Sequence, residues 1–207
     1  MVIHGPSSIN WDVDLGPWLL TDWYHEDAFA LNWISLAGQL APIPVSTLLN
    51  GKGVYDCNPT DDPRCTGRQE YFETTFKKGT RYKIGLANTG TLLTYTFWID
   101  GHNLTVIETD FVPVEPYVTN VLNVGIGQRY EIVIEANADF SHGSNFWMHA
   151  QYCGAPIITP NNKVGIIRYD DDDKSDPYTP PLSEQHEDFG CADPNPRDLV
   201  PIVKKQV

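Results

Sequence analysis

Between Tyr95 and Glu135 the chain reads YTFWIDGHNLTVIETDFVPVEPYVTNVLNVGIGQRYEIVIE, a succession of short apolar–polar alternations, each cut by turn residues. A period of two puts every second side chain on one face of a strand. Each segment can therefore bury one face, and several such segments must pack as two sheets over a shared core. The period extends to the flanks. Tyr82, Ile84 and Leu86 alternate with Arg81, Lys83 and Gly85, and Ile132 and Ile134 alternate with Glu131, Val133 and Glu135. Strands are predicted at 17–24, 95–99, 104–108, 118–124, 146–152 and 164–169. A parallel α/β sheet needs repeated helical crossovers, and only one segment reads as a helix. Asp27 caps it, and Phe29, Trp33, Leu36 and Leu40 form its stripe. Asn50-Gly51 marks a tight turn. The expected fold is all-β: an antiparallel β-sandwich with one short helix and long loops.

A chain of 207 residues suits one such domain with linkers. The formal charge of −13 repels phosphate backbones, so neither nucleic acid nor an anionic membrane is an expected partner. No apolar run approaches the roughly 20 residues of a membrane span. Met1 is followed at once by strand-like residues rather than a basic and then apolar leader, so any secretory signal is expected upstream. After Tyr169 the composition shifts to Asp170–Asp173 and a series of prolines, which reads as a solvated connector.

Cys57, Cys65, Cys153 and Cys191 allow three pairings. The local one is simplest, with Cys57–Cys65 closing a polar loop and Cys153–Cys191 pinning the tail. Asn103-Leu104-Thr105 is an N-glycosylation acceptor.

A blue-copper site needs a Cys thiolate, two His and a weak axial ligand. After Cys153 the next histidine is His186, and none follows Cys191. His4, His25, His102, His142, His149 and His186 form no His-x-His pair. No metal site is expected in the chain. Gly125–Tyr130 precedes a strand and lacks a third glycine, so it is no nucleotide loop. No G-x-S-x-G is present. Glu108 and Asp110 read as solvent-facing acids, and Arg129 as a structural ion-pair partner.

Five segments in order, IHGP (3–6), APIP (41–44), IDGHNLTVIETD (99–110), GQRYE (127–131) and FWMH (146–149), resemble the second domain of ascomycete-type laccases, which are multicopper oxidases. The resemblance implies a cupredoxin-like Greek-key sandwich over 11–170. It reads 1–10 as the end of a preceding domain and 171–207 as an acidic, Pro-rich connector toward a third. In the first domain of that family a copper-binding strand carries W-Y-H-S-H; here the matching strand keeps His149 and has Gln151 in place of the second imidazole.

The resemblance further implies a secreted parent enzyme whose copper lies in the flanking cupredoxin domains, and which couples one-electron oxidation of phenols or similar aromatic reductants to reduction of dioxygen. This domain would space those two and supply part of the reductant pocket, with Ala41 and Pro42 in its wall. Leu92 stands where many laccases present an acid to the phenol. The fragment alone is expected to be inactive, with no catalytic residue of its own. A stand-alone copper-free binding module and a small cupredoxin with its own copper are the alternatives.

Overall fold

The computed structural model describes residues 5–38, 42–57, 65, 69–153, 162–179 and 190–204. Eleven strands and one helix follow in the order β1 (Val13–Trp23), α1 (Ala28–Leu36), β2 (Ser46–Leu49), β3 (Phe72–Thr75), β4 (Arg81–Asn88), β5 (Tyr95–Ile99), β6 (Leu104–Thr109), β7 (Val112–Thr119), β8 (Leu122–Val124), β9 (Arg129–Glu135), β10 (Asn145–Tyr152) and β11 (Lys163–Arg168). They form a six-stranded sheet, β2-β1-β4-β9-β6-β7, and a five-stranded sheet, β3-β11-β10-β5-β8. Side chains from the two inner faces meet in one core, with Trp18, Leu20, Ile84, Leu86, Phe97, Ile132 and Met148 among its members. The alternation read from the sequence is what puts them there.

The all-β sandwich is the observed fold, but its sheets are mixed rather than antiparallel. β1 runs parallel to β4, and β3 parallel to β11. The crossovers these pairs require are made by strands of the opposite sheet; β3, for example, lies between β1 and β4 in sequence and belongs to the other layer. The strand expected over 118–124 is two strands. Thr119 turns the chain by bonding Val121 through its hydroxyl, and β7 and β8 then join different sheets.

Two turns carry the register. At Asn50 (φ 50°) and Gly51 (φ 77°) both residues are left-handed, as a two-residue hairpin loop requires. Between β6 and β7 the same conformation falls on Asp110 and Phe111. Arg129 holds that turn, pairing with Asp110 at 3.0 Å and lying 4.7 Å above the Phe111 ring.

Beyond Tyr169 most of the described residues are exposed to solvent, but several of their backbone groups are hydrogen-bonded to the sandwich. Buried Arg168 donates to the carbonyls of Asp173 and Ser175. The Trp147 indole donates to Pro177 O at 3.1 Å, and Asn123 Nδ2 donates to Gly190 O and Ala192 O. Val114 then pairs with Pro201, so the tail borders β7. Cys57 is bonded to Cys65, and Cys153 to Cys191.

Candidate functional site

The loop holding Leu92 and the segment following Pro42 both meet the C-terminal end of β1. Trp18, Leu20 and Asp22 share the inward parity of that strand, so its last inward position is a carboxylate, 5% exposed. A buried acid needs donors, and the loop after β4 provides them. Asp22 accepts the N–H groups of Thr91 at 2.9 Å, Leu92 at 2.7 Å and Leu93 at 3.3 Å. Asn88, the inward residue at the end of β4, closes the same loop from its other side. Its amide donates to Leu93 O and Val124 O, and its oxygen accepts Gly90 N–H. Gly90 sits between the two clamps; a Cβ there would lie 3.0 Å from Asn88 Oδ1 and 3.1 Å from Asp22 Cγ.

Leu92 is thereby fixed by its backbone, with its side chain 38% exposed. The segment holding Pro42 reaches the same place, since Val45 N–H donates to Trp23 O one residue beyond Asp22. Pro42 is half-buried, and Ala41 lies outside the described residues. A cleft of about 630 Å³ opens along Trp23, Tyr24, His25 and Tyr55, with the His25 and Tyr55 rings edge to face at 4.6 Å; neither Pro42 nor Leu92 lines it. The sequence reading missed Asp22 and Asn88. Their signal was a polar residue at the core parity of an otherwise apolar strand.

Lys83, Glu108, His102 and Tyr169 are engaged elsewhere in the sandwich. Burial works against the charge of Lys83, but Asp14 at 2.9 Å and Glu131 at 3.5 Å outweigh it and raise its pKa. Glu108 is half-buried beside Glu131, and burial and that neighbour raise its pKa; it is not the solvated acid expected. His102 donates from Nδ1 to Asp100 O and accepts the Tyr169 hydroxyl at Nε2, both at 2.7 Å. Burial lowers its pKa. The Tyr169 hydroxyl is pushed up to about 12, chiefly by burial.

The donors do not fit copper. His149 has Asp100 Oδ2 at 3.0 Å on one ring nitrogen and Asn162 Oδ1 at 3.1 Å on the other, and it stacks on Trp98. Neither nitrogen is left for a metal. Met148 faces the opposite way into the core, and the cysteines are in disulfides. Among the described residues no group of three or more His, Cys, Asp or Glu side chains could hold an ion. His4 and His186 lie outside those residues. Asn103 is exposed at the turn between β5 and β6.

This architecture is a cupredoxin-like sandwich: the laccase of Botrytis aclada superposes on 97% of the chain with a TM-score of 0.84 and 37% identity, the match taking up 36% of that laccase. Residues 14–172 match the family model Cu-oxidase, described as multicopper oxidase, and the chain belongs to that family. It is 77% identical over its whole length to dihydrogeodin oxidase of Aspergillus terreus, and 37% identical over its whole length to laccase-2 of Botryotinia fuckeliana. It spans about a third of each, 34% and 35% respectively. The chain is a laccase-like domain of a copper-using family.

Proposed function

We propose that the chain is the copper-free central domain of a three-domain, laccase-like oxidase. It holds the copper-bearing domains apart and forms one wall of the pocket for an aromatic reductant. The observation that carries this reading is the pairing of a full-length match with a span of only 34% of dihydrogeodin oxidase, on a domain whose His149 and cysteines are committed to protein partners. The parent oxidises one electron at a time and passes the electrons to dioxygen through copper held by the flanking domains. Its reductant belongs to the class named by the close relative, dihydrogeodin.

Within this domain the wall is Ala41, Pro42 and Leu92. The Asp22–Asn88 clamp supports it by fixing the Leu92 loop. An apolar Leu92 leaves proton acceptance to water or to another group. The parent is secreted, carries a glycan on Asn103, and keeps residues 171–207 as the strap leading to the third domain.

The test is the native product. Its mass should lie far above 23.3 kDa, and it should contain copper and consume oxygen with a phenolic reductant. A native protein of the chain's own mass, without copper and without oxygen uptake, refutes the reading in favour of a stand-alone binding module.

A further inference from the structure

Helix α1 reads Ala-Phe-Ala-Leu-Asn-Trp-Ile-Ser-Leu and contains no charged residue. Seven of its nine residues are apolar, and a helix of that composition ordinarily packs against a neighbour. This one buries none of its residues. Phe29, Trp33 and Leu36 fall on one stripe and are 81%, 72% and 69% exposed, with Ile34 also open. Asp27 caps it, accepting the N–H groups of Phe29 and Ala30, and α1 makes few contacts with any strand. A cap contributes about 1 kcal/mol. Helices shorter than about 12–15 residues are marginal in water without tertiary packing, and this one has nine residues. Sequence, length and exposure all require a cover that the described sandwich does not supply.

The occupant follows by elimination. Nine residues rise about 13 Å, too little to cross a membrane core of about 30 Å. An interfacial helix needs a charged face, which α1 lacks, and a formal charge of −13 opposes anionic lipid. What remains is the bulk of the polypeptide: relatives matched along this whole chain extend well beyond it, the chain being 34% of dihydrogeodin oxidase. We propose that the Phe29–Trp33–Leu36 stripe is a docking ridge covered by an apolar surface of a flanking domain of the same polypeptide. This rests on the central-domain reading and adds the contact that holds the domains together.

The test uses the full-length native oxidase. In hydroxyl-radical footprinting Trp33 should be oxidised at about a tenth of its rate in the guanidinium-unfolded polypeptide, as a water-excluded contact requires. With a photo-crosslinking residue replacing Phe29, the adduct should map to peptides outside these 207 residues of the same molecule. Several results overturn the proposal: Trp33 as reactive as in the unfolded chain, an adduct confined to this domain, an adduct between two molecules, or protection that appears only when reductant is added. Trp33 open in a full-length, copper-replete oxidase overturns the docking and leaves the central-domain reading standing. A native polypeptide no longer than this chain overturns both.

Discussion

Replacing Asp22 with alanine removes one carboxylate and strands three backbone donors, those of Thr91, Leu92 and Leu93. A hydrogen bond to a charged acceptor contributes about 1.5–3 kcal/mol, and an abandoned buried donor costs a similar amount. The loop can swing toward water and recover part of that, so the expected loss is about 3–5 kcal/mol rather than the full sum. In a domain of this size 1 kcal/mol moves the melting temperature by about 2–4 °C. Asp22→Ala should therefore melt roughly 6–20 °C lower. Asp22→Asn keeps one acceptor oxygen and should fall about halfway. The assay is thermal unfolding followed by near-UV circular dichroism, with amide exchange read at the three residues. Exchange should accelerate at Thr91, Leu92 and Leu93 before the core strands respond. Asp22→Ala with a melting temperature within about 2 °C of wild type and unchanged exchange at those amides would refute the clamp.

Leu92→Asp in the parent oxidase should raise turnover of simple phenols by about 10²-fold, the low end for general-base assistance in an open pocket, and leave non-phenolic reductants little changed. An unmoved ratio of the two rates across pH places Leu92 away from the reductant. The 207-residue chain, dialysed against Cu(II) and then buffer, should retain well under one equivalent by elemental analysis; a blue or EPR-visible site contradicts the committed state of His149. Burial lowers the folded-state pKa of His102, so the unfolded chain binds the extra proton first and stability falls as pH drops below the ordinary histidine value of about 6.5. The melting temperature should decline between pH 7.5 and 5.5 in wild type by more than in His102→Gln, and equal slopes would count against that assignment.

Much of the sandwich was legible because a period of two marks the core positions of β4 and β9, whereas β5 and β11 are buried on both faces and read only as short apolar runs. What could not be read is which strand meets which. Pairing of Val13 with Tyr82, or of Phe72 with Gly165, joins segments remote in sequence, and no local pattern records it. At α1 the cap and stripe were legible as a helix, since Asp27 and the spacing of Phe29, Trp33 and Leu36 are local facts. Its exposure could not be read, because a stripe states that it needs cover without stating whose. The site was half legible. Pro42 and Leu92 came from family wording, while Asp22 and Asn88 were visible as polar residues at inward positions and were passed over. The anchoring of the tail was hidden for another reason: the carbonyls of Ala192, Ser175, Pro177 and Asp173 accept from Asn123, Asn145, Trp147 and Arg168, and composition cannot distinguish a solvated carbonyl from a bonded one.

The parallel pairing of β3 with β11 has a consequence for the order of synthesis. Among the described residues β3 is an edge strand whose only partner in its sheet is β11, and Phe72 waits for Gly165. At translation rates of about 5–20 residues per second, that partner arrives some 5–20 s later. For that interval β3 shows an unpaired edge, and the apolar face of the growing five-stranded layer is incomplete. The sandwich closes only when residue 168 has cleared the ribosome, so a ribosome stalled between β3 and β11 leaves an aggregation-prone nascent chain rather than a smaller folded domain.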